Sequence, residues 1–350
     1  MGRTARSLLV LGPARADLAP AARIAASLAV PLVVLLATDR IEWSLFASFG
    51  AFTSIYARYV PPRTRVRQQT VVGLLLVCCV ALGALIARTV GTTGPEFLHL
   101  AITAVAGALV AAVSSVLIMD RGLRPAGAVF PVFATTAVAS VPSSAGVLVA
   151  AAIAAASAAW CVLLGYLARW TGEANPDAAE PVLPTRSRLA RRQEFSRYGL
   201  AALAAGAIAS LTGLTSPYWA QVAAVVPLSA PGRRQQLERG LHRILGTVIG
   251  VALAGFLLSF PSQPWQLLVW VVLLQFLAEM FVLRNYSLAL LFITPLALLM
   301  VQLAHPRPTG QLLVARVAET SIGAVVGIVI VLIAVALERR RHADTSAPSA

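Results

Sequence analysis

Twelve stretches of apolar residues follow one another through this chain, with short polar breaks between them in all but one place, and no soluble fold can bury that much hydrocarbon surface. The runs lie at about 19–38, 41–57, 68–88, 97–119, 124–141 and 144–168, and again at about 197–213, 217–231, 240–260, 264–283, 285–303 and 311–337. Crossing ~30 Å of hydrocarbon takes roughly 20 helical residues, so most of these runs read as membrane spans. The runs starting near 197 and 217 are short and are separated by Thr215-Ser216-Pro217, which predicts tilted, re-entrant or broken segments there. Composition agrees, with 58% hydrophobic residues against 12% charged.

Charge placement gives an independent check on the count, because arginine collects in loops left on the cytoplasmic side. All 28 basic residues are arginine, and in a soluble chain a net charge of +14 would suggest a nucleic acid or another anionic surface. In lipid it sets topology instead. With twelve spans and the N-terminus inside, the cytoplasmic set is Arg3, Arg6, Arg15, Arg23, Arg58, Arg63, Arg65, Arg67, Arg121 and Arg124. To these are added the arginines of the central linker, then Arg233, Arg234, Arg239, Arg243, Arg284 and Arg339 to Arg341. Only Arg40, Arg88, Arg307 and Arg316 fall elsewhere. Ser7-Leu8-Leu9-Val10-Leu11 is too short for a signal-peptide core, so no cleavage is expected. Cys78, Cys79 and Cys161 fall within spans and read as packing residues.

Trp43, Arg58, Arg63 and Arg67 are matched by Trp219, Arg234, Arg239 and Arg243, each pair 176 positions apart. The match suggests two similar halves. A polar, proline-bearing stretch at 170–196 separates six runs from six, so the second half enters the membrane from the same side as the first. The expectation is an all-α membrane protein of about twelve transmembrane helices, arranged as two parallel six-helix repeats. Its parts are residues 1–169, a cytoplasmic linker at 170–196, residues 197–337, and a cytoplasmic tail at 338–350.

Two groups of residues could carry chemistry. Arg63 with Arg67, and Arg239 with Arg243, are each four apart and so share a helix face. Brought together, they would form a cationic vestibule for carboxylates through paired guanidinium contacts, or equally serve as topology anchors touching lipid phosphate. Arg316 and Glu319 lie three apart inside the last run, where ionisable groups are costly. Nine residues at 1.5 Å place Glu319 roughly 13 Å from the outer end, as a proton-coupling carboxylate or as half of a structural ion pair. Gln221, Gln275, Asn285, Thr294 and Gln302 could line a path or bond between helices. Trp43, Tyr218 and Trp219 read as an aromatic belt. The sequence contains no nucleotide-binding P-loop, no His/Cys metal cluster and no catalytic-triad spacing, so neither an enzyme nor a cofactor is expected. Without an ATP site, uphill transport would draw on an ion gradient.

Ser216-Pro217-Tyr218-Trp219-Ala220 and Arg239-Gly240-Leu241-His242-Arg243-Ile244-Leu245-Gly246-Thr247 resemble the signature of the fusaric acid resistance family of membrane proteins. Asn285-Tyr286-Ser287-Leu288-Ala289, Phe292-Ile293-Thr294-Pro295 and the stretch from Arg316 through Glu319 and Thr320 to Gly323 are similar to later motifs of that family. The resemblance covers about 195–337 and is thin before that. It implies relation to exporters of aromatic carboxylic acids and to aluminium-activated malate channels, hence a plasma-membrane pathway for small organic anions. Export by proton-coupled alternating access is the leading expectation. A passive anion channel and a scaffold binding anionic lipid are the alternatives, and homo-oligomerisation is left open.

Overall fold

The computed structural model describes residues 17–91, 94–141, 145–171, 173, 185–260 and 262–346, with side chains through 337. Arg3, Arg6, Arg15, linker residues 174–184 and the side chains of Arg339 to Arg341 lie outside the described part.

Among the described residues the regular structure is helical throughout. The helices are α1 Leu18–Ala37, α2 Ser44–Ala51, α3 Pro62–Thr89, α4 Glu96–Asp120, α5 Val129–Ser140 and α6 Val147–Leu167. They continue with α7 Arg188–Ser210, α8 Tyr218–Leu228, α9 Arg233–Leu258, α10 Pro264–Phe281, α11 Tyr286–Ala304 and α12 Thr309–Ser346. Sequence punctuation sets their ends. Pro62 opens α3 and Pro264 opens α10, positions where a missing N–H costs nothing. Ser187 and Asn285 cap α7 and α11 by accepting from Ala190 N and Leu288 N at 3.1 and 3.0 Å.

Eight of the helices, α1, α3, α4, α6 and α9 to α12, are long and apolar enough to cross a membrane. The chain is therefore an integral, multi-pass, all-α membrane protein. The other four differ from the spans expected from hydropathy. At 1.5 Å per residue, the 8, 12 and 11 residues of α2, α5 and α8 rise only about 12, 18 and 16 Å. Helix α7 has 23 residues, but its first turns carry Arg188, Arg191, Arg192, Glu194 and Arg197. Short helices are tolerated at membrane depth when protein, rather than lipid, surrounds their ends. Every residue of α2 and of α8 is buried.

Within residues 18–167, α6 packs on α2 and α3, and α5 packs on α3 and α4; within residues 188–337, α12 packs on α8 and α9, and α11 packs on α9 and α10. The seams between the two parts also correspond: α4 lies on α7 and α10 on α1, while α5 lies on α8 and α11 on α2. Two close approaches define the interior. A Cβ on Gly50 of α2 would sit 2.2 Å from Ala154 O of α6, and one on Gly323 of α12 would sit 2.0 Å from Ala220 O of α8. Only glycine fits at either place.

The structure also corrects the register of the repeated quartet. Helices α3 and α9 begin at Pro62 and Arg233, 171 positions apart rather than 176. By place in the helix, Arg63 therefore corresponds to Arg234 and Arg65 to Gln236. The Trp43/Trp219 pair is not equivalent either, since Trp43 precedes α2 whereas Trp219 lies within α8.

Candidate functional site

At one end of the bundle, helix starts and turns bring seven charged groups together. Arg23 in α1 grips Glu173, just past α6, with Nε donating to Oε2 at 2.9 Å and Nη2 to Oε1 at 3.0 Å. Arg65 in α3 reaches the same carboxylate at 3.4 Å, and its side chain is 0% exposed. The α2–α3 turn presents Arg58 between Ala57 and Tyr59, two non-glycine residues in the left-handed region at φ 62° and 61°. Such strain survives only where the surroundings hold it. Here Arg58 Nη2 donates to Glu279 Oε2 at 2.6 Å, while both of its Nη atoms donate to Glu279 O at 3.2 Å. Asp17 lies 4.0 Å from Arg58, accepts from Arg284 Nε at 3.2 Å and is bonded by the Tyr59 hydroxyl. Arg58–Glu279 and Asp17–Arg284 each join the first helical set to the second.

Deeper in, the aromatic rings meet. Phe133 of α5 lies 4.9 Å from Phe49 of α2 and 4.8 Å from Trp219 of α8, centroid to centroid, with Tyr218 beside Trp219 at 4.7 Å. The Arg316 guanidinium stacks over Trp219, its carbon 3.7 Å from the ring centroid, at a distance typical of a cation–π contact. Arg316 is 1% exposed, Arg243 4% and Glu319 0%. Arg243 is near enough for its charge to act on Arg316. Glu319 Oε1 accepts from Ser216 N at 2.9 Å.

Several polar atoms of this region lack partners. Arg316 Nε and Nη1, Arg243 Nε, Glu319 Oε2, Tyr218 Oη, Trp219 Nε1, Thr247 Oγ1 and Thr320 Oγ1 are all buried with no hydrogen-bond partner. Native interiors leave few such groups.

The residues singled out from the sequence divide accordingly. Arg243, Arg316 and Glu319 are all buried in the core of the second set, with Arg243 and Glu319 each near enough for its charge to act on Arg316. Arg239, one turn before Arg243, is half-buried, donates to Ser229 Oγ at 2.9 Å and lies over Tyr286. Arg63 and Arg67 are exposed on α3, on the face shared with Thr70 and Leu74, and Arg65 between them is the arginine that turns inward. Tyr218 and Trp219 are 2% and 1% exposed, so they belong to the core rather than to an aromatic belt. Asp17, Glu173 and Glu279 were not singled out from the sequence. A groove of about 330 Å³ at the α9–α10 turn, lined by Phe256, Phe260, Trp265 and Trp270 among others, carries no charge and suits lipid rather than an anion. Among the described residues, no group of three or more His, Cys, Asp or Glu side chains could hold a metal ion.

Residues 203–330 match the family described as Fusaric acid resistance protein-like, so a domain of that family is present from within α7 to within α12. Two curated proteins are similar over 133 residues each, 38% of this chain. One is "Uncharacterized membrane protein YvaC" of Bacillus subtilis (strain 168), 33% identical over 21% of its own length. The other is "Uncharacterized protein slr1298" of Synechocystis sp. (strain ATCC 27184 / PCC 6803 / Kazusa), 31% identical over 17% of its length. The match thus spans about a fifth of those relatives. No solved structure matches the chain.

Proposed function

We propose that this chain is a plasma-membrane transporter that exports organic carboxylate anions, aromatic ones among them, by proton-coupled alternating access between two similar halves. The fusaric acid resistance-like domain and the multi-pass architecture support transport. The carrying observation is the buried arginines Arg243 and Arg316, with Nε of Arg243 and Nε and Nη1 of Arg316 unpaired and Arg316 stacked over Trp219. A guanidinium presents two parallel donors that fit a carboxylate, and an aromatic face beside it suits a planar substrate. In this reading, exposed Arg63 and Arg67 and half-buried Arg239 raise the anion concentration at the inner mouth. Arg243 and Arg316 then receive the carboxylate. Glu319, with one oxygen free of partners, carries the proton whose return drives export.

Two parallel six-helix repeats are supported by the packing itself, since α1 to α6 meet one another, and meet the opposite half, as α7 to α12 do. Counting the short helices α2, α5 and α8 and the arginine-bearing α7 among the crossings restores twelve, with both termini cytoplasmic and the charged clasp at the inner end. The ring contacts from Phe49 through Phe133 to Trp219 fill the centre, which favours alternating access over an open channel.

The test is flux in liposomes of purified protein, across a panel of aromatic and aliphatic acids. An imposed pH gradient should drive accumulation, Glu319→Gln should abolish accumulation while sparing exchange, and Arg243→Gln should raise the half-saturating concentration. Current without accumulation would indicate a channel. Absence of any flux would refute transport and leave a scaffold that binds anionic lipid, a reading favoured by the exposed Arg63, Arg67, Arg188, Arg191 and Arg192.

A further inference from the structure

In the turn between α11 and α12, one side chain grips both ends of one residue. Arg307 N donates to Gln302 Oε1 at 3.2 Å, and Arg307 O accepts from Gln302 Nε2 at 3.0 Å. With its backbone fixed, the Arg307 guanidinium reaches in two directions. Nη1 donates to Thr215 O and Ser216 Oγ in the α7–α8 turn, each at 3.2 Å, while Nη2 donates to Ser140 O at the end of α5, at 3.3 Å. Ser140 belongs to the first half, and Thr215, Ser216 and Arg307 belong to the second. This one side chain therefore bridges the halves at the end opposite Arg58 and Glu279.

Ser216 connects that bridge to the core, because its backbone N–H is the donor to Glu319 Oε1 at 2.9 Å. A continuous line of polar contacts runs from Glu319 through Ser216 and Arg307 to Ser140, crossing from the first third of α12 to the other half. Every link is a hydrogen bond of 3.3 Å or less.

We propose that Arg307 is a latch between the outer ends of the two halves, and that the charge on Glu319, relayed through Ser216, sets whether it holds. This deepens the transporter reading and rests on its assignment of the proton to Glu319. An ionised carboxylate makes the Ser216 bond charge-assisted, roughly twice as strong as a neutral one, and attracts Arg307 as well. Protonation removes both effects, loosens the Thr215–Ser216 turn and takes away one anchor of the bridge. The latch is closed when Glu319 is charged and open when it is neutral.

The groups facing Glu319 are Arg316 on its own helix, Arg307 from the α11–α12 turn and Tyr218 from α8; Arg243 of α9 acts on Arg316. The charged residues of α7 all lie between Arg188 and Arg197, at its other end. His305, two residues before Arg307, is held below its ordinary value by burial and then by the Arg307 charge, so it adds no competing cation near neutrality.

The experiment measures the distance between spin labels at Leu148→Cys and Gly310→Cys, with the native cysteines replaced, in lipid nanodiscs at pH 8 and pH 5. Leu148 is 85% exposed at the start of α6, and Gly310 has nothing within 4 Å of an added Cβ. The distance should lengthen at pH 5 by roughly 5 Å, about one helical turn. Glu319→Gln and Arg307→Gln should each give the long distance at both pH values. Ser216→Ala, a milder change that keeps the backbone N–H, should shift the transition toward higher pH. A short, pH-responsive distance in Arg307→Gln, or a short one at pH 8 in Glu319→Gln, overturns the latch. If either variant fails to fold, an unshifted transition in Ser216→Ala overturns it instead. Proton-driven flux of the unlabelled protein is scored separately. Flux with a static distance sinks the latch alone, whereas a moving distance without flux sinks the transporter reading and leaves the latch standing.

Discussion

Among the described residues Glu173 is the sole carboxylate paired with two buried arginines, and replacing it with glutamine tests whether the charged end of the bundle is sealed from water. Glu173→Gln preserves shape and removes charge. Arg23 would keep one neutral acceptor, Ser54 O at 3.2 Å, and Arg65 would keep Ala57 O and Gly165 O at 3.3 and 3.4 Å. The two arginine side chains are 6% and 0% exposed, so water cannot replace the lost countercharge. Deleting one partner of such a buried pair costs about 3–5 kcal/mol, mostly for the charge left behind. The control is Asp120→Asn, whose partner Arg191 is 49% exposed with Asp120 at 26%; an exposed pair of this kind is worth at most about 1 kcal/mol. Reversible unfolding in mixed micelles with increasing SDS, followed by tryptophan fluorescence, reads both. Adding Arg65→Gln to Glu173→Gln should recover part of the loss, because removing both partners leaves fewer buried charges unpaired. A loss for Glu173→Gln no larger than that for Asp120→Asn would show that the network is hydrated and would refute the reasoning.

Gly323→Ala should destabilise the protein by about 1–3 kcal/mol in the same unfolding assay, since its Cβ meets a backbone carbonyl that cannot turn aside, while Gly310→Ala should be near neutral. Single cysteines at Arg63 and Arg234 should react with an impermeant maleimide from the same side of the membrane. Reaction from opposite sides would rule out parallel halves.

Much of the fold can be read from the sequence, because hydropathy reports where helices run and arginine reports where they turn. Each apolar run overlaps one helix, and among the described residues six helices precede 170 and six follow it, the last nine residues of the expected 170–196 linker forming the start of α7. The limit is that hydropathy cannot tell a helix crossing lipid from a short one enclosed by protein, as α2 and α8 are. The site was legible where a charge inside an apolar run announced itself, as Arg316 and Glu319 did. It was not legible where burial depends on helix phase. Arg63, Arg65 and Arg67 look alike in a basic turn, yet a rotation of about 100° per residue sends only Arg65 inward. Nor does any local signal join Arg23 to Glu173, 150 positions apart, or Arg58 to Glu279, 221 apart. Trp219 looked interfacial because it sits near the end of its apolar run, but its side chain is turned into the core, 1% exposed.

At Gly50 and at Gly323 a neighbouring carbonyl occupies the space a side chain would need, so α2 meets α6, and α8 meets α12, backbone against backbone. Main chains in contact have no rotamers to exchange, and each of these pairs must travel as one rigid body. Sliding is left to the seams α1–α10 and α4–α7, the latter filled by side chains such as Gln221, whose Nε2 donates to Ala104 O and Ala202 O at 2.9 and 3.2 Å. Any relative motion of these helices must therefore carry each welded couple whole, and the two glycines are the welds.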